Sequence, residues 1–294
     1  MKGFAVGLLN FLLAISIAVL GLTFMINTTI LNPDFVTSEL DKFDVSSLVK
    51  EQLGSMFTEQ IPQELRPLAQ DAINTTLDDL EPWLKEQTRN ALVSTYDYIK
   101  GKSERLSIVI QTEPMIESFT ENLLEEIQQS PPPELAGIPP AMLEQLLNQF
   151  IGSTLPSEIE ITGNMLGPDI MSILTQVKQY VGYIQTAFKA SLVASILFVL
   201  GIVLIIRQVK GITRKLGVTF TVYGAVWYGG IFAAKQFLAP QLSQLGFNLP
   251  TQLQSMIPKL LDDVVSPLQM FTLGFLIAGV VLLIISRLYK KREA

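Results

Sequence analysis

The 294-residue chain contains no cysteine and no histidine. Without cysteine there can be no disulfide, cysteine-held iron–sulfur cluster or thiol nucleophile; without histidine, His-ligated haem and zinc and every Ser/His or Cys/His catalytic arrangement fall away. Charge is scarce as well. Only 16% of the residues are Asp, Glu, Lys or Arg, against 49% apolar ones, and the mean hydropathy is +0.39. That balance is too apolar for a typical soluble protein and excludes wholesale disorder. The sequence also lacks a glycine-rich phosphate loop, an Asp-rich calcium loop and any nucleic-acid motif. With so few reactive groups, the expectation is a non-enzymatic protein that uses no cofactor and no metal and binds no nucleic acid.

Apolar runs are what the chain has in abundance. A bilayer core of about 30 Å takes roughly 20 apolar residues as helix, because an unpaired backbone amide in lipid costs several kcal/mol. Runs at 4–26, 190–206, 216–238 and 268–288 answer that need. The first follows Lys2 as a secretory signal would, but its 23 residues exceed a signal core of about 7–15 and no Ala-x-Ala-like site follows, so a retained anchor is expected.

Charge orients the runs, since Lys and Arg accumulate in short cytoplasmic loops. Lys2, Arg207, Lys210, Arg214, Lys215, Arg287, Lys290, Lys291 and Arg292 make nine bases against the single acid Glu293, whereas segment 27–188 carries 24 acids and 9 bases, a balance of −15. Both termini are therefore expected in the cytoplasm of a multi-pass cell-membrane protein. The expected division is a first transmembrane helix at 1–26, an extracytoplasmic acidic helical domain at 27–188, and three further transmembrane helices within 189–294.

Apolar spacing inside the insert is mostly that of amphipathic helices. Val45, Leu48, Val49, Leu53, Met56 and Phe57 form one such face; Ile116, Phe119, Leu123, Leu124 and Ile127 a second; Leu143, Leu146, Leu147, Phe150 and Ile151 a third. A longer helical region spans about 64–99, and Pro67 and Pro82 predict that it divides in two. Alternation of Leu106, Ile108 and Ile110, and of Ile159 and Ile161, predicts a small two-stranded ribbon. The prolines at 131–133 and 139–140 mark a stiff spacer. From residue 168 the apolar pattern runs into the second span without a proline, so one continuous helix is expected there. The fold class is thus mainly α, with four transmembrane helices and a largely helical extracytoplasmic domain between the first and second.

Surfaces, not reactive groups, are the candidate functional features. Ala225, Gly229 and Ala233 recur every four residues on the third span, and Gly274 and Ala278 do so on the fourth, a spacing that lets helix backbones approach closely. Residues 251–265 read as an amphipathic loop helix whose apolar side, Leu253, Ile257, Leu260, Leu261 and Val264, is expected to dock on the outer domain near 170–188. Asn27 and Asn74 open glycosylation triplets. Asp78, Asp79 and Glu81 form the densest acidic cluster, read as a solvated helix face. Lys235 is expected to snorkel to the headgroups and Asn10 to make an interhelical hydrogen bond.

These features point to an integral membrane interaction or scaffold protein that presents its outer domain for assembly with envelope components. Its expected partners are the lipid bilayer and a protein, either another chain or a second copy, met through the outer domain or the membrane helices. Handling of a lipid or another apolar molecule in a helix-lined groove is the alternative. The layout of one span, a large outer domain and three more spans resembles the membrane subunits of mechanotransmitting ABC transporters, in topology and not in residues. That resemblance implies a chain that passes movement between a cytoplasmic ATPase and the outer domain.

Overall fold

A computed structural model describes residues 2–42, 66–131, 137–154, 156–242 and 251–292. The amphipathic segment at 45–57 and most of the proline spacer at 131–133 lie outside them. Along the described chain the elements are α1 (Lys2–Thr28), α2 (Pro33–Leu40), α3 (Arg66–Asp79), α4 (Glu81–Ile99), β1 (Ser107–Gln111), α5 (Glu113–Gln129), α6 (Pro140–Thr154), β2 (Glu158–Thr162), α7 (Gly167–Ile206), α8 (Val209–Leu242) and α9 (Thr251–Arg292). Among the described residues the fold is mainly helical with one small sheet, and four helices are long and apolar enough to cross a membrane: Gly3–Thr28, Gly167–Ile206, Val209–Phe237 and Pro258–Tyr289. The chain divides into two compact units, Thr37–Lys178 and the combination of Met1–Val36 with Gln179–Ala294.

In Thr37–Lys178 the main core is built by three helices. Ala69, Ala72, Ile73 and Leu77 recur at helical spacing on α3 and meet Phe119, Leu123 and Ile127 of α5 and Leu143 of α6. Burying each large side chain contributes about 1.5–3 kcal/mol, which is what holds these short helices in place. The division between α3 and α4 falls at Leu80, and Pro82 sits in the first turn of α4, where its missing N–H breaks no helical hydrogen bond. At the far end of α4, Gly101 takes a left-handed φ of 73° and its N–H bonds the carbonyl of Tyr98 at 3.0 Å. That cap turns the chain toward β1.

The predicted ribbon is present. β1 and β2 pair antiparallel, with Ile108 opposite Ile161 and Ile110 opposite Ile159. Tyr98, Ile99 and Leu106 form a second buried cluster, against which Ile108, Leu166, Met171, Leu174 and Val177 pack. The first turns of α7 therefore spend their apolar side on the ribbon of their own unit.

In the other unit α1, α8 and α9 pack together, and the longest shared face is that between α8 and α9. Leu13, Ile17, Ile202, Leu216 and Tyr223 are buried at its centre, surrounded by Phe198, Phe220, Trp227, Phe271 and Phe275. The Phe275 ring lies edge-on to Phe220 at 5.0 Å and to Tyr223 at 5.6 Å. The seryl pair Ser191 and Ser195 of α7 meets α1 through Ser16, whose hydroxyl donates to the Ser191 carbonyl at 2.8 Å and lies 2.9 Å from the Ser195 hydroxyl.

One expected boundary disappears. The loop helix expected at 251–265 and the span at 268–288 are one 42-residue helix, α9, with Pro258 and Pro267 inside it. Proline removes one backbone donor, and in a long helix packed on a neighbour that loss is absorbed as a local adjustment instead of a break. Likewise α7 runs unbroken for 40 residues, as the proline-free pattern predicts.

Candidate functional site

The α8–α9 seam is where backbones come closest. A Cβ built on Gly224 would lie 2.6 Å from the backbone nitrogen of Leu276, one on Gly217 would lie 3.1 Å from the carbonyl oxygen of Gly279, and Gly279 abuts the backbone of Thr221. The residues singled out by four-residue spacing are placed elsewhere. Ala225, Gly229, Ala233, Gly274 and Ala278 are all exposed on the single chain, and a Cβ on Gly229 or Gly274 would meet nothing within 4 Å. The signal that marks the seam is Gly217, Thr221 and Gly224, small residues at alternating spacings of four and three, the pattern by which two helices keep one face in contact.

Toward one end of the seam Lys235 on α8 pairs with Asp262 on α9 at 2.9 Å and donates to the Gln269 side chain at 3.0 Å. Its ammonium, expected to snorkel to the headgroups, is thus held by the neighbouring helix. Asn10 does make the interhelical bond expected of it, accepting from the Thr219 hydroxyl at 3.0 Å while donating to the Val6 carbonyl at 2.9 Å. Beside that bond an open groove of about 470 Å³ runs between α1 and α8, lined by Phe11, Ala14, Ile15, Val222, Val226 and Trp227.

The loop residues are only partly placed. Leu260, Leu261 and Val264 are half-buried, while the side chains of Leu253 and Ile257 fall outside the described set. Among the described residues α9 packs chiefly on α8 and α1. On the surface expected to receive the loop, Ile170 and Ile173 are 48% and 61% exposed and Val177 is taken by the ribbon cluster. Asn27 and Asn74 both lie in helices: the Asn27 amide donates to the Thr23 carbonyl at 2.8 Å, and Thr76, two residues after exposed Asn74, is 2% exposed and accepts from Asn122 at 3.0 Å. Among the described residues, Asp78, Asp79 and Glu81 do not form a metal-binding group.

The opposite end of the same unit gathers basic residues. A cleft of about 520 Å³ between α8 and α9 is lined by Lys210, Arg214 and Arg287 over Val280, Leu283 and Ile284. A second, of about 940 Å³, is lined by Gly3, Val6 and Gly7 of α1 and by Arg214 and Lys215 of α8. In the sequence these bases read as orientation signals and as boundary charges attracted to anionic headgroups; their convergence needed the helix packing. No protein-family model, curated protein or solved structure matches the chain.

Proposed function

We propose that this chain is a non-enzymatic integral membrane scaffold: four transmembrane helices anchor an acidic helical unit on the extracytoplasmic side, where it assembles with other envelope components. The observation that carries this reading is the apolar packing of the described residues of Thr37–Lys178. Among the described residues the apolar faces of α3, α5 and α6 close on one another, with Ala69, Ile73, Leu77, Phe119, Leu123 and Ile127 all buried. A carrier of an apolar ligand needs an open apolar cavity instead. What the unit offers outward is surface, including Met142 and Leu146, one turn apart on α6 and 55% and 50% exposed.

Orientation follows from charge. Arg214 lines both clefts, with α1 on one side and α9 on the other, so the bases of α1, α8 and α9 share one end of their unit; short basic segments stay in the cytoplasm. This supports cytoplasmic termini and an extracytoplasmic insert. The groove between α1 and α8 favours lipid handling as the second reading.

A photoreactive benzophenone amino acid placed at Leu146 of the full chain, irradiated in native membranes, tests the proposal. A discrete protein adduct at 146, absent with the probe at Glu125, is expected. Adducts with lipid alone would overturn the scaffold and leave the second reading.

A further inference from the structure

The cleft between the start of α8 and the end of α9 joins two kinds of chemistry. On one side stand Lys210, Arg214 and Arg287; on the other, Val280 and Ile284, 41% and 53% exposed, continue away from the cationic groups along α9. Neither Arg214 nor Arg287 is paired with an acid among the described residues, and the first turn of α8 contains none. The start of α8 carries the partial positive charge of a helix N-terminus. Ser286 fixes the cleft from beneath: it is 7% exposed and its hydroxyl donates to the Lys210 carbonyl at 3.2 Å, tying the two helices together.

The two guanidinium groups of Arg214 and Arg287 at one opening repel one another unless an anion lies between them. Guanidinium groups suit phosphate, whose oxygens accept their paired N–H donors. The exposed Val280 and Ile284 suit an apolar chain attached to that phosphate. We propose that the cleft is a specific site for the phosphate of an anionic phospholipid, held by Lys210, Arg214 and Arg287, with an acyl chain along Val280 and Ile284. Basic pockets between membrane helices on the cytoplasmic side bind such headgroups for this reason. The site rests on the reading that the four helices span a bilayer. It adds to that reading a lipid that joins α8 to α9 and strengthens the end of the seam where both helices leave the membrane.

The test uses the full chain in neutral detergent. Its thermal midpoint is followed during titration with dioctanoyl phosphatidylglycerol, dioctanoyl phosphatidylcholine or inorganic phosphate. A saturable rise with phosphatidylglycerol is expected, and R214Q/R287Q should weaken the apparent affinity by about tenfold or more, because two charge-assisted contacts are lost. The control K189Q/R207Q removes the same charge outside the cleft and should bind as the parent does; R214K/R287K, which keeps the charge, should bind better than the glutamine pair. Equal responses to phosphatidylcholine, or an unchanged affinity in R214Q/R287Q, would overturn the site. Inorganic phosphate acting as well as the lipid at equal concentration would overturn the lipid as source. Release of the chain from membranes by alkaline carbonate would instead overturn the membrane reading itself, whatever the titration shows.

Discussion

Gly224 lies against Leu276 so closely that a methyl group on it would come within 2.6 Å of the Leu276 backbone nitrogen. A flexible side chain could move aside, but backbone in the middle of a helix cannot. G224A should therefore push α8 and α9 apart and lower stability by about 1–3 kcal/mol, the usual cost of overpacking. G229A, on the open face of the same helix, should be neutral or stabilising by up to about 1 kcal/mol, since alanine is the better helix former. Thermal unfolding of both variants in detergent decides the matter; equal midpoints would mean that the seam is not closely packed.

The Lys235–Asp262 pair joins the same two helices nearer the other end of the seam. Lys235 keeps 21% of its side-chain exposure and Asp262 keeps 62%, so solvent weakens the attraction. A double-mutant cycle with K235M and D262N should give a coupling of about 0.5–1 kcal/mol, the upper part of the range for exposed pairs. High salt should reduce it. A coupling of zero at low salt would show that the two charges merely lie side by side.

Legibility in the sequence followed the range of the forces involved. The ribbon announced itself because alternation at 106–110 and 159–161 is a local pattern, even though its strands are 53 positions apart from Ile108 to Ile161. Pro82 likewise marked the start of α4 through local sterics. The merging of 251–265 into α9 was hidden because Pro258 and Pro267 read as breaks when packing against α8 is unseen. Small residues were legible as a class but not as a face: the evenly spaced Ala225, Gly229 and Ala233 stood out, while Gly217, Thr221 and Gly224 carry the contact. The basic cleft was least legible, since Lys210 and Arg287 lie 77 positions apart and meet only when α8 and α9 pair.

Membrane orientation can be read directly because the chain has no native cysteine to interfere. Ser130, at the end of α5, is exposed, and Thr213 lies in the second turn of α8 among the basic residues. With a membrane-impermeant maleimide on intact cells, S130C should label and T213C should label only after permeabilisation. The reverse pattern would invert the topology and place the acidic unit inside.

The ribbon register makes the sharpest geometric prediction. Val109 is directly opposite Glu160, and Val109 is 37% exposed, so the pair lies on an accessible face. Directly opposed Cβ atoms are about 4.5–5.5 Å apart, close to the separation of about 3.5–4.5 Å that a disulfide needs, so small strand movements suffice to close it. V109C/E160C should therefore oxidise to an internal disulfide, detected as a linked peptide pair by mass spectrometry. Closing a loop of roughly 50 residues should stabilise the unit by roughly 4 kcal/mol if the bond forms without strain. The companion V109C/I161C moves the second cysteine one residue along β2 and so to the other face of the strand, where it cannot reach. The Ser107 hydroxyl loses its 2.6 Å bond to the Glu160 carboxylate in the first variant, a small cost on an exposed edge that the cross-link outweighs. If V109C/I161C cross-links as fast as V109C/E160C, the strands are out of register by one residue, and the Ile108–Ile161 pair no longer faces the cluster of Tyr98, Ile99 and Leu106.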